Sequence, residues 1–214
     1  MASVCYMSPA VGSANALPVP NGLDALPPTF TAAQARAAGI ASRDLYRMRD
    51  DGVLIDLSRG VFRKADAPES AYLDLLAVAA RVPGAVVCGE SALALHDLID
   101  DVPAAVHIAV PRGKHTPAIA FPPTVVSRYD AATFDLGVER FEAAPGETVA
   151  VYSAARSVVD AMRQRHRLGE TLALHALGRY LRSGGARDVV ALLDLARALG
   201  VESAVRSATE AVLA

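Results

Sequence analysis

The sequence has little of what several common classes of protein depend on. Its two cysteines, Cys5 and Cys88, provide neither a disulfide framework nor the ligand spacing of a zinc site. No apolar run approaches the roughly 18 residues of a membrane-spanning helix. The first residues lack a basic segment followed by a long apolar block, so no secretory signal is expected. These features predict a cytoplasmic protein with no membrane partner.

Aromatic side chains and net charge are also scarce. Tryptophan is absent, aromatic residues make up 5% of the chain, and the net charge is only −2. Hydrophobic residues nevertheless reach 52%, against 21% charged residues, which is a globular rather than a disordered composition. Because the chain as a whole is not a polycation, any surface that binds nucleic acid must be local.

Charge and proline content divide the 214 residues into three parts. Residues 1–28 contain five prolines and predict a flexible tail, with one short turn expected at its end around Leu23–Leu26. Residues 29–64 hold seven basic and four acidic side chains, a local net of +3, whereas residues 65–214 hold fourteen and eighteen, a local net of −4. This change predicts a DNA-binding domain over residues 29–68 and a separate C-terminal domain over residues 69–214, long enough to fold alone.

The basic segment contains signals for two short helices. Thr31 is placed to cap a first helix that ends at Gly39, and Ser42 is placed to cap a second helix that ends at Gly52. Only three residues separate the first helix from the second cap. This spacing is typical of a helix-turn-helix.

A hairpin is predicted directly after the second helix. Residues 53–57 and 61–63 alternate between apolar and polar side chains on either side of a Ser-Arg-Gly turn, which is a strand–turn–strand pattern. The order of two helices and a hairpin predicts a winged helix-turn-helix. Together with the mixed helices and strands of the longer second part, it predicts an α+β fold.

The second helix has one apolar and one polar face. At about 100° per residue, Leu45 and Met48 share one side and should pack inward. The opposite side carries Arg43, Tyr46, Arg47 and Asp50. Two arginines one turn apart can reach guanine edges in a major groove, and Asp50 is expected to orient Arg47 or to accept from cytosine. The second helix is therefore predicted to read DNA bases.

The wing and the helix starts are predicted to hold the DNA backbone. Ser42 and the free amides at the start of the second helix can bind a phosphate, and Arg59 lies at the tip of the wing. The full set of expected DNA contacts is Thr31, Gln34, Ser42, Arg43, Tyr46, Arg47, Arg59, Arg63 and Lys64. A solvated face with pairs such as Arg47–Asp51, or a winged helix that binds only protein, are the alternatives.

Helices and strands alternate in the C-terminal part before it becomes wholly helical. The predicted strands cover residues 85–88, 105–110, 124–129, 137–142 and 148–152. The predicted helices cover residues 71–81, 90–98, 154–167, 170–182, 186–199 and 202–213.

The chain resembles a known family in four segments. FTAAQARAAGIASRDLYRMRDDGVLIDLSRGVFRK (residues 30–64) is similar to the winged helix of the AbiEi-family antitoxins of type IV toxin–antitoxin systems. CGESALALHDL, AAVHIAVPRGKH and VYSAARSVVDAM resemble the C-terminal domain of that family, in the same order. The resemblance implies a protein that binds its own operator DNA, represses its operon and counteracts a nucleotidyltransferase toxin. One departure is the Pro-rich segment where the family has a long first helix.

No catalytic or cofactor site emerges from the residues. A nucleotidyltransferase core needs paired carboxylates on a strand, and residues 105–110 carry none, while Asp100 and Asp101 are adjacent and would point to opposite faces. Ser91 and His96 are five residues apart on one predicted helix, which suits no catalytic triad. The five histidines show no metal-ligand spacing. The sequence therefore predicts a protein that is not an enzyme and needs neither cofactor nor metal.

A second basic patch lies in the helical C-terminal part. Between Arg156 and Arg187 there are seven arginines and two acids, Asp160 and Glu170. The patch that we single out consists of Arg163, Arg165, Arg167, Arg179 and Arg182. It is expected either to contact nucleic acid, to form a solvated face, or to face the toxin. A transcriptional regulator unrelated to a toxin, with a ligand-binding or dimerising C-terminal domain, is the alternative function.

Overall fold

A computed structural model describes residues 22–116, 118–183 and 186–213, and it confirms the α+β class. The strands are β1 Thr29–Thr31, β2 Leu54–Ser58, β3 Val61–Lys64, β4 Val86–Val87, β5 Val106–Pro111, β6 Thr124–Tyr129, β7 Val138–Ala144 and β8 Glu147–Tyr152. The helices are α1 Ala32–Ala37, α2 Ser42–Asp50, α3 Leu73–Arg81, α4 Gly89–Leu95, α5 Ala154–Arg163, α6 Arg165–Leu168, α7 Glu170–Ser183, α8 Ala186–Ala198 and α9 Glu202–Leu213.

The N-terminal part is a winged helix with a three-stranded antiparallel sheet in the order β1-β3-β2. Strand β1 precedes the helices and was not predicted; it pairs with β3 so that Phe30 lies opposite Phe62. Both phenylalanines are buried with Leu45 and Met48 of α2, which confirms the predicted inner face of that helix. The hydrophobic core thus fixes the rotation of α2 about its axis and turns its other face outward.

The short turn expected around Leu23–Leu26 is confirmed. Leu23 and Leu26 are buried in the same cluster as Phe30, and the amide of Leu26 donates to the carbonyl of Leu23 at 3.1 Å in a short turn. Residues 1–21 lie outside the described residues. This turn at Leu23–Leu26, the leucine turn, therefore belongs to the core of the winged helix.

The two helix starts differ in a way that the sequence did not show. Thr31 caps α1 as predicted: its hydroxyl accepts from the amide of Gln34, whose side chain in turn accepts from the amide of Thr31. The prediction that Ser42 caps α2 is wrong. The N-cap is Ala41, without a side-chain hydrogen bond, and Ser42 is already helical. The buried Ile40 anchors the turn, so the chain enters the helix one residue earlier.

A five-stranded mixed sheet organises the C-terminal part, in the order β6-β5-β4-β8-β7. Alternating side chains of its central strands face opposite layers. Val87 and Val151 pack with Val78 of α3, whereas Val86, Cys88 and Tyr152 form a cluster on the other face. Helices α4, α5 and α7 to α9 share a further core. The predicted helix over residues 154–167 is two helices that meet at Gln164, whose amide group donates to the hydroxyl of Tyr129 at 3.1 Å.

Helix α3 joins the two parts of the molecule. Its Ala77 packs against Leu57 and Val61 of the wing, while Leu75 and Val78 pack on the five-stranded sheet. The local charge changes near the predicted boundary at residues 68–69. The two parts are nevertheless in apolar contact across this boundary, because α3 packs against both.

Candidate nucleic-acid interface

The outward face of α2 carries the side chains that the sequence placed there. Arg43, Tyr46, Arg47 and Asp50 are all exposed. Arg43 makes no ion pair with any residue in the described part of the chain. Arg47 pairs with Asp44 at 3.2 Å, and Asp50 binds Arg49 at 2.7 Å. Asp50 therefore does not orient Arg47, and its alternative role as an acceptor from cytosine stays a prediction. The pair Arg47–Asp51, named as an example of a solvated face, is not formed, since the partner of Arg47 is Asp44.

Tyr46 is held by its neighbours although half of it is exposed. Its ring meets Phe62 edge-on with centroids 6.1 Å apart, and the guanidinium of Arg49 lies 5.0 Å from the ring centroid. Asp50 fixes Arg49 in turn by two hydrogen bonds. Because the ring is already restrained, a contact from Tyr46 to DNA would cost little further side-chain entropy.

Thr31 and Gln34 are engaged with each other in the capping box. The side-chain oxygen of Gln34 accepts from the amide of Thr31 at 2.7 Å and from its hydroxyl at 3.0 Å. The side-chain amide group of the exposed Gln34 has no hydrogen-bond partner among the described residues. That group, at the start of α1, is the part of the pair that remains suited to a phosphate.

Arg63 is buried, which contradicts its expected place at the DNA surface. Only 3% of its side chain is exposed, and it forms an ion pair with Glu147 of the C-terminal sheet. Its guanidinium also donates to the hydroxyl of Thr29 and to the carbonyl of Pro68, each at 2.7 Å. Glu147 completes the arrangement by accepting from the amide of Thr29 at 3.0 Å. We call these four residues the clamp, since they fasten the winged helix to the rest of the molecule.

The remaining wing residues divide by exposure. Arg59 is exposed at the tip, where Gly60 adopts a φ of +74° and its carbonyl accepts from the amide of Ala32 at 2.9 Å. Lys64 is half-buried, and its amine donates to the carbonyl of Leu26 at 2.7 Å. Arg59 is thus available at the surface, whereas Lys64 is partly committed to the leucine turn.

Carboxylates partly neutralise the second basic patch. Arg163 lies 3.4 Å from Asp160, Arg165 lies 3.8 Å from Glu170, and Arg179 pairs with Asp100. No ion pair from Arg167 or Arg182 to another described residue is found. The hydrogen bond from Arg179 lowers the pKa of the Asp100 carboxyl. Asp100 comes from a distant segment, so its contribution to this patch could not be read from the local sequence.

The VYSAARSVVDAM segment builds a buried polar cluster that sequence reasoning did not assign. Arg156 is fully buried; it donates to Asp160 at 2.8 Å, and a second nitrogen donates to the carbonyls of Thr133 and Leu136. Its guanidinium lies 4.4 Å from the ring centroid of Tyr152. Burial raises the pKa of Asp160, an effect that Arg156 opposes. The cluster holds the loop before β7 against α5.

Ser91 and His96, which were considered for catalysis, each bond to backbone groups and not to one another. The hydroxyl of Ser91 donates to the carbonyl of Ala105 at 3.3 Å and accepts from the amide of His107 at 2.9 Å, so it supports backbone at the start of β5. His96 meets the carbonyl of Tyr152 at 2.8 Å. Burial raises the pKa of Cys88 to about 12, which keeps this thiol protonated at neutral pH.

Within residues 22–116, 118–183 and 186–213, no cluster of three or more His, Cys, Asp or Glu side chains is arranged to bind a metal ion. The helices of the same residues are all too short or too polar to span a bilayer.

The exposed α2 face, the capping box of α1 and the wing coincide with a sequence match. Residues 24–63 match the family described as transcriptional regulator, AbiEi antitoxin. The resemblance to AbiEi antitoxins is thereby confirmed for the N-terminal region. The match begins at Asp24, inside the leucine turn, and ends at Arg63 of the clamp. The N-terminal region is therefore similar to that of transcriptional regulators of the antitoxin kind.

A solved structure is similar to this chain over more residues than the AbiEi match covers. The RV2827C protein from Mycobacterium tuberculosis is 18% identical, with a TM-score of 0.52 over 87% of this chain and 76% of that chain. At this identity the likeness concerns the fold. No match was found among curated proteins.

Proposed function

We propose that the protein is the antitoxin of a type IV toxin–antitoxin system, which binds its operator DNA, represses its own operon and counteracts a nucleotidyltransferase toxin. The observation that carries the DNA-binding part is the outward face of α2, where Arg43, Tyr46 and Arg47 are exposed within the AbiEi match. Helix α2 would lie in the major groove and α1 across the backbone, as in other winged helix-turn-helix proteins.

Base readout would fall to the two arginines, in different ways. Arg43 has no ion pair to give up among the described residues, so it can approach a guanine directly. Arg47 must first leave Asp44, and an exposed ion pair of this kind contributes about 0–1 kcal/mol. A bidentate contact to guanine contributes about 1–3 kcal/mol of discrimination, which is enough to offset that loss.

The C-terminal domain would act against the toxin without chemistry of its own. Strand β5 carries no carboxylate, although paired carboxylates at such a strand are what nucleotidyl transfer requires. Asp100 and Asp101 are exposed, and the former is paired with Arg179. Direct contact between antitoxin and toxin is not part of the proposal.

The decisive experiment is rescue. Cells that express the neighbouring toxin gene should survive when this protein is co-expressed, and the purified protein should bind the promoter of the operon in preference to random DNA. Purified protein incubated with nucleoside triphosphates, Mg²⁺ and transfer RNA should leave the RNA unmodified. Failure of rescue would remove the antitoxin role, and transfer that disappears in Asp100→Asn would overturn the non-enzymatic role.

A second candidate is a winged-helix regulator whose C-terminal domain binds a small molecule. A cleft of about 460 Å³ favours it, since the cleft lies between the start of α3 and the segment after α4 and is lined by Tyr72, Asp74, Leu95 and Asp101 among others. In that case operator binding would respond to a metabolite, and co-expression would give no protection against the neighbouring gene product.

A further inference from the structure

The two edge strands of the five-stranded sheet are protected to different degrees. On β7, the exposed side chains of Glu139 and Arg140 carry charge. A bulge between Glu142 and Ala144 also shifts the register of that strand. Charges and bulges of this kind keep an edge from pairing with a further strand. On β6, the single charged residue is Arg128, and the strand pairs with β5 along its whole length without a register shift. The β6 edge is therefore regular and open to a further strand.

The hydrogen bonds to β5 show which backbone groups of β6 point away from the sheet. The amide of Val106 donates to the carbonyl of Pro123 at 2.8 Å, and the amide of Arg112 donates to the carbonyl of Tyr129 at 2.7 Å. In a parallel pair, every second residue of a strand bonds to the same neighbour. Three residues of β6 therefore direct both amide and carbonyl outward: Thr124, Val126 and Arg128. Among the described residues, no hydrogen bond to these outward backbone groups is found.

The outward residues are spaced so that β6 can pair with a second β6. In an antiparallel pair, directly opposed residues exchange two hydrogen bonds when both point toward the partner strand. A two-fold axis at Val126 meets this condition, because it places Val126 opposite its own copy and Thr124 opposite Arg128. An axis at Arg128 would oppose two guanidinium groups. An axis at Thr124 would bring in Pro122, which has no amide hydrogen to donate. Backbone and charge therefore favour the same register.

The geometry points to a homodimer in which the β6 strands of two copies pair antiparallel about Val126 and join the two five-stranded sheets into one. A second copy fits this edge because it supplies outward groups with the same spacing and places a threonine, not a second cation, opposite Arg128. Val125, of which 45% is exposed, would lie beside Ser127 of the partner subunit and lose contact with water. This inference does not depend on the proposed antitoxin function.

The test is whether the mass of the full-length protein in solution rises with concentration. Analytical ultracentrifugation up to about 1 mM covers weak association, and the wild type should pass from monomer to dimer. Val126→Pro removes the amide at the axis but no hydrogen bond to β5, so this variant should stay monomeric.

Arg140→Pro is the matched control on the other edge strand. The amide of Val138 donates to the carbonyl of Asp135 at 3.4 Å and not to β8, so the amide of Arg140, two residues later, also points away from β8. This variant should dimerise like the wild type. If Val126→Pro lowers the midpoint of thermal unfolding more than Arg140→Pro does, the crosslinking measurement described next decides.

A disulfide tests the register without proline. In the proposed dimer, residues 125 and 127 form a pair without hydrogen bonds, whose Cα atoms lie about 4.5 Å apart, within reach of a disulfide. In a Cys5→Ser background, Val125→Cys/Ser127→Cys should give covalent dimers on mild oxidation. Val125→Cys alone should give few, because its own copy lies about 7–8 Å away on the diagonal.

Three results would each overturn the dimer. They are a wild type that stays monomeric over the whole concentration range, a well-folded Val126→Pro that dimerises like the wild type, and a double cysteine variant that crosslinks no better than Val125→Cys alone. A monomeric wild type together with lost protection against the toxin in Val126→Pro would overturn self-pairing and assign the β6 edge to the toxin instead.

Discussion

Two regions of the molecule are rich in arginine, and the carboxylates that their arginines meet come from different places. On the winged helix, Arg36, Arg43 and Arg59 are exposed and make no ion pair with other described residues, while Arg47 and Arg49 pair with acids of α2 itself. In the α5–α7 region, Arg163 and Arg179 both meet carboxylates, one of which, Asp100, belongs to a segment far away in sequence. A high local density of arginine therefore does not by itself indicate a cationic surface; the carboxylates that the fold brings alongside decide it.

The same two regions each contain one buried arginine, and here they are alike. Arg63 pairs with Glu147 in the clamp, and Arg156 pairs with Asp160 one turn later on α5. Both are buried and donate further hydrogen bonds to backbone carbonyls. The comparison thus separates arginines that hold the fold from arginines that are able to bind a partner.

Breaking the clamp should give the largest effect. Glu147→Ala would leave the charge of Arg63 buried without its partner, and removal of one member of a buried pair costs about 3–5 kcal/mol. We expect a loss of this size in the free energy of unfolding, measured by urea titration. The exposed Glu139→Ala on the adjacent strand β7 is the matched control and should lose under about 0.5 kcal/mol. Equal losses in the two variants would contradict the role of the clamp.

The clamp also affects the expected stability of a fragment that contains only the C-terminal domain. A fragment that begins near Ser70 lacks Arg63 and uncovers the face of α3 around Ala77. The charge boundary in the sequence predicts that such a fragment folds alone, but the structure leads us to expect a lower midpoint of thermal unfolding than in the full chain. A fragment with the same midpoint as the full chain would contradict a stabilising contact between the two parts.

Removing a helix cap should lower the free energy of unfolding by less than breaking the clamp. Thr31→Ala removes the hydroxyl that accepts from Gln34 at 3.2 Å and should cost about 0.5–2 kcal/mol of stability. Ser42→Ala is the matched control, since Ser42 is the first helical residue of α2 and its side chain makes no cap. It should change stability by under about 0.5 kcal/mol. A larger loss from Ser42→Ala than from Thr31→Ala in urea titration would show that α2 starts differently.

The smallest effect on DNA binding is expected from the α5–α7 arginines. Replacing Arg163, Arg165 and Arg167 with Gln removes two side chains that are already near carboxylates and one that is not. We expect operator affinity and its salt slope to change little. A uniform loss on operator and random DNA with a flatter slope would show phosphate contacts here. An unchanged slope with lost protection against the toxin would assign this patch to antitoxin action.

Local features of the fold were predictable from the sequence. Strand β6 has the predicted bounds, 124–129, and Gly39 and Gly52 follow α1 and α2 with positive φ values as their helix-end positions implied. Alternation, capping and glycine act over a few residues, so they can be read directly. The inward packing of Leu45 follows in the same way from helical periodicity.

Most features that the sequence did not predict depend on contacts between residues far apart in the chain. Arg63 looks like any other wing cation until Glu147, 84 residues later, is placed beside it. Strand β1 spans three residues and is defined by its pairing with β3 rather than by its own pattern. The partner of Arg47 proved to be Asp44 because side-chain directions on α2, and not spacing alone, decide which acid is reached. Within the candidate interface, the sequence therefore predicted which side chains of α2 face outward. It did not predict the ion-pair partners of the arginines.

The affinity ratio between operator and random DNA in Arg43→Ala and Arg47→Ala tests the central claim most directly. Each change should lower operator affinity by about 1–3 kcal/mol, or roughly 5- to 150-fold, and relax the preference at one or two base pairs while random DNA is bound almost as before. Arg179→Ala, which removes an arginine of the α5–α7 region, should leave the ratio unchanged. Equal losses on operator and random DNA in the two α2 variants would contradict the claim that this face reads bases.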